Sequence, residues 1–338
     1  MPTAARPPRL DGLDAARGLA VVSMLVAHLS PVGGPLTVSE YLTAPLFAVI
    51  IGTSMGVQLA ERRPAAGPFL RDNAVRASVL IVLGVLLQRV YHQIAVILPY
   101  LGLLVVVLAP LALLLHRMPV RTVVLSAILS IVSPLVMDRA RAWTATGGDR
   151  PRVVLELVHW LAAGGSYRVI SLLAMALGGL ALATVLRRAG RLPAAWAVGG
   201  LLTVAGLGTY LVGALTPAGA SAYSGTTAEI SGATLLGCAS VVLSFGVVQV
   251  LRDHGAGRVA EPLLATGRLA LSAYTLQILW LALVAAVRDQ ARDDTWWVLG
   301  SSLVVVVGSC WALERTWGTG PLEWLVHRLR RPAVRPRA

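Results

Sequence analysis

Residues 95–115 read AVILPYLGLLVVVLAPLALLL. No charge interrupts them, and a helix needs about 20 apolar residues to cross the hydrocarbon core of a bilayer. Working outward, comparable blocks recur at 13–30, 42–60, 74–92, 120–137, 167–186, 194–214, 231–251, 266–287 and 296–314, so about ten spans are expected. The composition agrees. Of 338 residues, 56% are hydrophobic and 13% charged, and the mean hydropathy is +0.74. Soluble domains carry roughly a quarter of their residues as charges and could not hide this much apolar surface. The expected fold class is all-α, a polytopic integral membrane helix bundle forming one transmembrane domain over 1–338. Disordered and fibrous classes are excluded.

Lys and Arg number 29 against 16 acids, a formal charge of +13. In a soluble chain that balance suggests nucleic acid. Here the charges sit in turns between apolar blocks, so they imply inside-positive topology and contact with anionic lipids instead. Arg6 and Arg9, Arg62 to Arg76, Arg117 and Arg121, Arg187 to Arg191, Arg252 and Arg258, and the tail after Arg328 all share one side if ten spans are crossed. Both termini are then cytoplasmic, in the plasma membrane. Residues 1–10 form a short arm, and the apolar stretch after them reads as a retained first span. The segment 138–166 is a long non-cytoplasmic loop holding a short interfacial or re-entrant helix near 153–162, or else a surface excursion. Residues 317–338 give an interfacial helix begun by Pro321, then a basic tail. Cys238 and Cys310 read as buried fillers, and no metal motif is present. Gly52 and Gly56 allow close helix approach. Pro99 and Pro110 predict kinks.

The polar residues inside spans carry the functional reading, because an ionisable group there is costly unless it faces protein or a polar cavity. Arg17 and His28 are eleven residues apart, almost three turns, so they share a face of the first span about 16 Å apart. Asp14 can pair with Arg17. A structural ion pair explains these residues too. In the functional reading His28 is a general base, and Arg17 holds a phosphate or orients a catalytic acid. Ser54 is a candidate beside them. In the ninth span, Arg268, Ser272 and Thr275 lie near one face, with Tyr274 and Gln277 on another. The two latter are equally readable as interhelical glue or as cavity lining. Glu323 is surface charge or pins an arginine.

The stretch from Asp14 to His28, Leu46-Phe47 with Gly52-Thr53-Ser54, Gly267 to Gln277, and Gly320 to Trp324 together resemble the YeiB-like membrane protein family (domain of unknown function 418). That family is similar to the catalytic domain of heparan-alpha-glucosaminide N-acetyltransferase and to the wider transmembrane acyltransferase group. In that group an Arg and a His ten residues apart on the first helix recur, and Arg17 and His28 match them. The resemblance implies a cytoplasmic acyl-CoA donor, with acetyl-CoA among the candidates, and a sugar or lipid-linked glycan acceptor across the membrane. It leaves a homodimer open. Where the family commonly has an Asp before an Ile-Leu pair, this chain has Val96, with His92 and Tyr100 as nearby polar substitutes. Residues 29–41 contain no His. The rival readings are a transporter or lipid-handling protein, which would use Arg17, His28 and Gln277 as a path, and a noncatalytic bundle.

Overall fold

The computed structural model describes residues 10–31, 34–90, 94–146, 150–188, 192–288 and 295–330, all helix, turn or coil with no strand among them. The chain runs α1 (Asp11–Leu29), α2 (Glu40–Arg62), α3 (Ala66–Leu87), α4 (Leu98–Leu115), α5 (Pro119–Ala145), α6 (Arg152–Val158), a π-helical turn (His159–Ala163), α7 (Val169–Arg188), α8 (Leu192–Ala214), α9 (Thr227–Asp253), α10 (Gly257–Arg268), α11 (Ala270–Arg288), α12 (Trp296–Trp317) and α13 (Pro321–Arg330). Nine of the described helices are long and apolar enough to cross a membrane: α1, α2, α4, α5, α7, α8, α9, α11 and α12.

The polytopic helical fold is therefore as expected, with local corrections. The third expected span, 74–92, becomes α3, which starts earlier and is not among the nine. Its first half carries Arg71, Asp72 and Arg76, leaving 77–87 as its uninterrupted apolar stretch. The expected span 266–287 is two helices, α10 and α11, broken at Leu269. The 138–166 loop is shorter than expected because α5 continues to Ala145. Its helical piece is α6 with the π turn. Pro99 stands in the first turn of α4, where it opens the helix and removes no helical hydrogen bond. Pro321 likewise opens α13.

Buried side chains of α1, α2, α4, α7 and α9, such as Met24, Leu46, Leu104, Leu177 and Ile230, form the central core. The outer helices turn Val123, Ile131, Leu135, Val204 and Leu211 outward, an apolar surface suited to lipid rather than water. On α2, a Cβ at Gly52 would overlap the Ala176 carbonyl of α7. The expected close approach there is observed, and Thr53 Oγ1 donates across it to the Gly179 carbonyl at 3.0 Å. Thr226 and Glu229 start α9 as a capping pair: Thr226 Oγ1 accepts the Glu229 N–H at 3.3 Å. Cys238 and Cys310 are buried and unpaired with each other.

Candidate functional site: an arginine-lined cavity

The site begins where α1 meets α10 backbone to backbone. A Cβ on Gly267 would overlap the Asp14 carbonyl, and one on Gly18 the Leu263 carbonyl. Glycine at both positions lets α10 lie directly on α1, bringing Arg268 onto the acids of the first helix. Arg268 Nη1 bonds Glu314 Oε1 of α12 at 2.8 Å, and its Nη2 bonds Asp11 Oδ1 at 3.2 Å. Its Nε stands 3.6 Å from Asp14 Oδ2. Arg252, at the end of α9, pairs with the other Asp11 oxygen. Asp14 Oδ1 accepts from Arg17 Nη1 at 2.5 Å, and Arg17 Nη2 donates to Ser54 Oγ of α2 at 2.8 Å. Burial opposes the charge on Arg268, but Glu314, Glu261 and Asp14 outweigh it and hold its pKa above the ordinary arginine value. Five helices are thus tied by one network of arginines, acids and Ser54, in which Arg268 Nε lies near Asp14 without a hydrogen bond.

The break between α10 and α11 exposes the first N–H groups of α11, and Glu323 of α13 caps them. Its Oε1 accepts the Leu271 and Ser272 N–H groups at 2.9 and 3.0 Å, and its Oε2 accepts Ser272 Oγ–H at 2.5 Å. A Cβ at Gly320 would overlap that carboxylate. Glu323 is therefore a helix cap supplied from another element, which neither a surface charge nor a partner of arginine describes. The same bonds explain why Arg268, at the end of α10, does not share a helix face with Ser272.

Beside the cap lies a cavity of about 410 Å³. Arg17, Arg76, Arg268, Arg330 and His327 surround it, and Phe47, Ile50, Ile51, Leu80, Ile97 and Leu101 give it apolar walls. The arginines differ in their partners. Arg17 and Arg268 belong to the network. Arg76 is half-buried, with no carboxylate within ion-pair reach among the described residues, and the charges that act on it are those of Arg330 and Arg17. Arg330 is lowered in pKa by burial, which Asp72 only partly offsets, and its Nε has no partner. Glu323 is the one acid among the described lining residues, so the cavity keeps a net positive charge over an apolar interior.

Tyr274 and Gln277 stand one turn apart on α11. Tyr274 lines the cavity, and its Oη accepts the Ile97 N–H at 3.1 Å. Gln277 is fully buried, and neither its Nε2 nor its Oε1 has a partner. Such an amide forfeits the full desolvation cost of its groups, so packing alone is a poor account of it.

A family model described as an acyltransferase domain matches residues 10–315. The chain belongs to that acyltransferase family. A search of curated proteins finds no match. Together with the nine apolar helices, the match makes this a multi-pass membrane acyltransferase. The matched range includes Arg17, Arg76, Arg268 and Gln277 and stops before Glu323 and Arg330 of α13.

For this acyltransferase, the structure brings Asp14, Arg17, Ser54, Arg268, Tyr274 and Glu323 to one place, with Gln277 a turn beyond. His28 is not there. It is half-buried in the last turn of α1 and is not among the residues lining the arginine cavity, so the expectation of one cavity shared with Arg17 is not met. His92 lies outside the described residues. Tyr100 faces away from the cavity, toward Tyr167, with ring centroids 5.6 Å apart. Sequence reasoning missed Arg76 and Arg330 as cavity residues. It assigned Arg76 to an inside-positive turn with Arg71, and the charges that act on Arg76 come from Arg17 and Arg330, far away in sequence.

Proposed function

We propose that the protein transfers an acyl group from acyl-CoA to a hydroxyl or amine acceptor, a sugar or lipid-linked glycan, across the membrane. The observation that carries this reading is the cavity: a cluster of arginines short of acids at its mouth, apolar walls within. Phosphates of the donor suit Arg76, which has no acid within ion-pair reach among the described residues, and Arg330, whose burial Asp72 only partly offsets, with Arg17 behind them. The acyl arm suits the apolar interior. With α3 taken as a tenth crossing beside the nine apolar helices, inside-positive topology would place that mouth, with α13 and both termini, on the cytoplasmic side of a plasma membrane. The likeness of Gly320 to Trp324 to the YeiB-like branch belongs to the same reading.

The acceptor oxygen or nitrogen attacks the thioester carbonyl carbon. The new bond to carbon forms, and the C–S bond breaks. The acceptor proton passes to a histidine base on the acceptor side, the role given to His28 from the sequence, and the coenzyme leaves as its thiol after the thiolate gains a proton. Gln277 donates to the oxyanion, which gives its unpartnered amide a task. Arg17 and His28 are about 16 Å apart along α1, and the pantetheine arm is long enough to bridge such a gap. Direct transfer is favoured over an acyl-His, because Val96 leaves no carboxylate at the position where the resembling family has one.

Single-turnover transfer from labelled acetyl-CoA in purified membranes tests this. His28→Ala is expected to abolish transfer while the protein stays folded. Full transfer by that variant would remove His28 as the base. Uptake of a solute into vesicles without any transfer would favour the transporter reading, which could use the same cavity as a path.

A further inference from the structure

The entry into α4, from Val96 to Leu101, has a cavity on each side. Ile97 and Leu101, four residues apart, line the arginine cavity. Val96 and Tyr100, also four apart, line a second cavity of about 360 Å³. Val96 precedes α4 and Ile97 stands at its N-cap; the Ile97 N–H to Tyr274 bond holds this entry against the arginine cavity, while Val96 and Tyr100 line the other. On α3, Arg76 belongs to the first cavity and Gln88 to the second, twelve residues or about 18 Å further along the helix axis.

The second cavity is built differently. Among the described residues, Gln88, His159, Ser166 and Tyr167 line it with Val96 and Tyr100. Gln88, His159 and Ser166 are exposed and form its rim, while Tyr100 and Tyr167 are buried against each other. Trp160 packs on Tyr100 with centroids 6.2 Å apart, clamping the π turn to α4. The Gly164 N–H closes that turn on the His159 carbonyl at 2.8 Å. A Cβ on Gly164 would overlap the Tyr167 carbonyl. The chain is thus bent to put His159 and Tyr167 on one opening. Burial pushes the Tyr167 phenol above its ordinary pKa, so it stays neutral. No arginine lines this cavity among the described residues.

We infer that the second cavity is the acceptor site and takes a sugar ring, free or lipid-linked. Resting on the acyl-transfer reading, it sets the ring against Tyr100 and Tyr167, with its hydroxyls toward His159, Gln88 and Ser166. Aromatic walls with a few polar groups at the edge are what such a ligand needs, and a neutral cavity does not compete for the anionic donor. Val96 and Ile97 then form the last layer between the two substrates.

The test uses the full chain in proteoliposomes, with Cys238 and Cys310 changed to Ser, and single cysteines in place of Val96, Ile97 or the exposed Ser166. A membrane-impermeant thiol reagent is applied from each side. Val96→Cys and Ser166→Cys are expected to react from one side and to be slowed several-fold either by glucose or N-acetylglucosamine in buffer, or by vesicles carrying a glucosyl lipid. Which arm protects distinguishes the free from the lipid-linked source. Ile97→Cys is expected to react from the opposite side and to be shielded by acetyl-CoA alone. If acetyl-CoA leaves Ile97→Cys unprotected, the donor reading falls. If acetyl-CoA protects Ile97→Cys but neither sugar arm slows Val96→Cys or Ser166→Cys, the acceptor site alone is overturned. Reaction of Val96→Cys and Ile97→Cys from the same side overturns the division between the cavities.

Discussion

The two cavities on either side of Val96 and Ile97 are made by different physics. The arginine cavity is assembled from charges that arrive from distant helices, and its shape depends on a satisfied ionic network next to unsatisfied cations. The aromatic cavity is assembled from α6, its π turn and the start of α4, clamped by ring packing. Removing a charge from the first can either collapse it or merely empty it, depending on whether that charge has a partner. The second has no such division, and changes there should be graded.

The largest effect is expected from Arg268→Ala, which removes the cation shared by Asp11, Asp14 and Glu314, while Asp11 keeps Arg252 and Asp14 keeps Arg17. The charged hydrogen bonds to Glu314 and Asp11 are lost, each worth about 1.5–3 kcal/mol, so thermal unfolding in detergent should show a clear loss. A variant as stable as wild type would show that the network is not what holds α1, α10 and α12 together. Next is Gln277→Leu. It removes a buried amide without partners, so stability should rise by about 1–3 kcal/mol while transfer slows by about 10²–10³. Lower stability with unchanged transfer would mean that the amide is ordinary packing. Glu323→Ala uncaps α11 and should cost about 1–2 kcal/mol. Glu323→Gln should recover part of it through its carbonyl oxygen, and equal melting temperatures for all three proteins would dismiss the cap. The smallest effect is expected from Tyr167→Phe, which keeps the ring against Tyr100 and removes only the hydroxyl. It should raise the acceptor KM while leaving acetyl-CoA affinity as in wild type. A change in donor affinity instead would join the two cavities into one.

Sequence reading reached the helical membrane fold because long apolar blocks are a local signal. It reached Asp14 with Arg17 for the same reason, since residues three apart on a helix meet. It did not reach the partners of Arg268, because Glu314 is 46 residues away and Asp11 is 257. The break at Leu269 follows Gly267 by two residues, a weak local signal, and the carboxylate that stabilises it comes from Glu323, 52 residues beyond Leu271. The division at Val96 and Ile97 was visible only as a departure from a family pattern, since a run of apolar residues does not say which cavity each one faces. The count of spans turns on α3, where three charges in the first half compete with an apolar second half.

The central claim is that the arginine cavity receives an anionic donor, and Arg76 tests it most directly. Its guanidinium faces Arg17 and Arg330 with no acid in reach among the described residues, so Arg76→Ala should fold at least as well as wild type. The measurement is acetyl-CoA affinity by titration calorimetry on both proteins. A charged hydrogen bond is worth about 1.5–3 kcal/mol, so the variant should bind at least tenfold more weakly at an unchanged or higher melting temperature. Equal affinity in the two proteins, or no binding by wild type, would contradict the account.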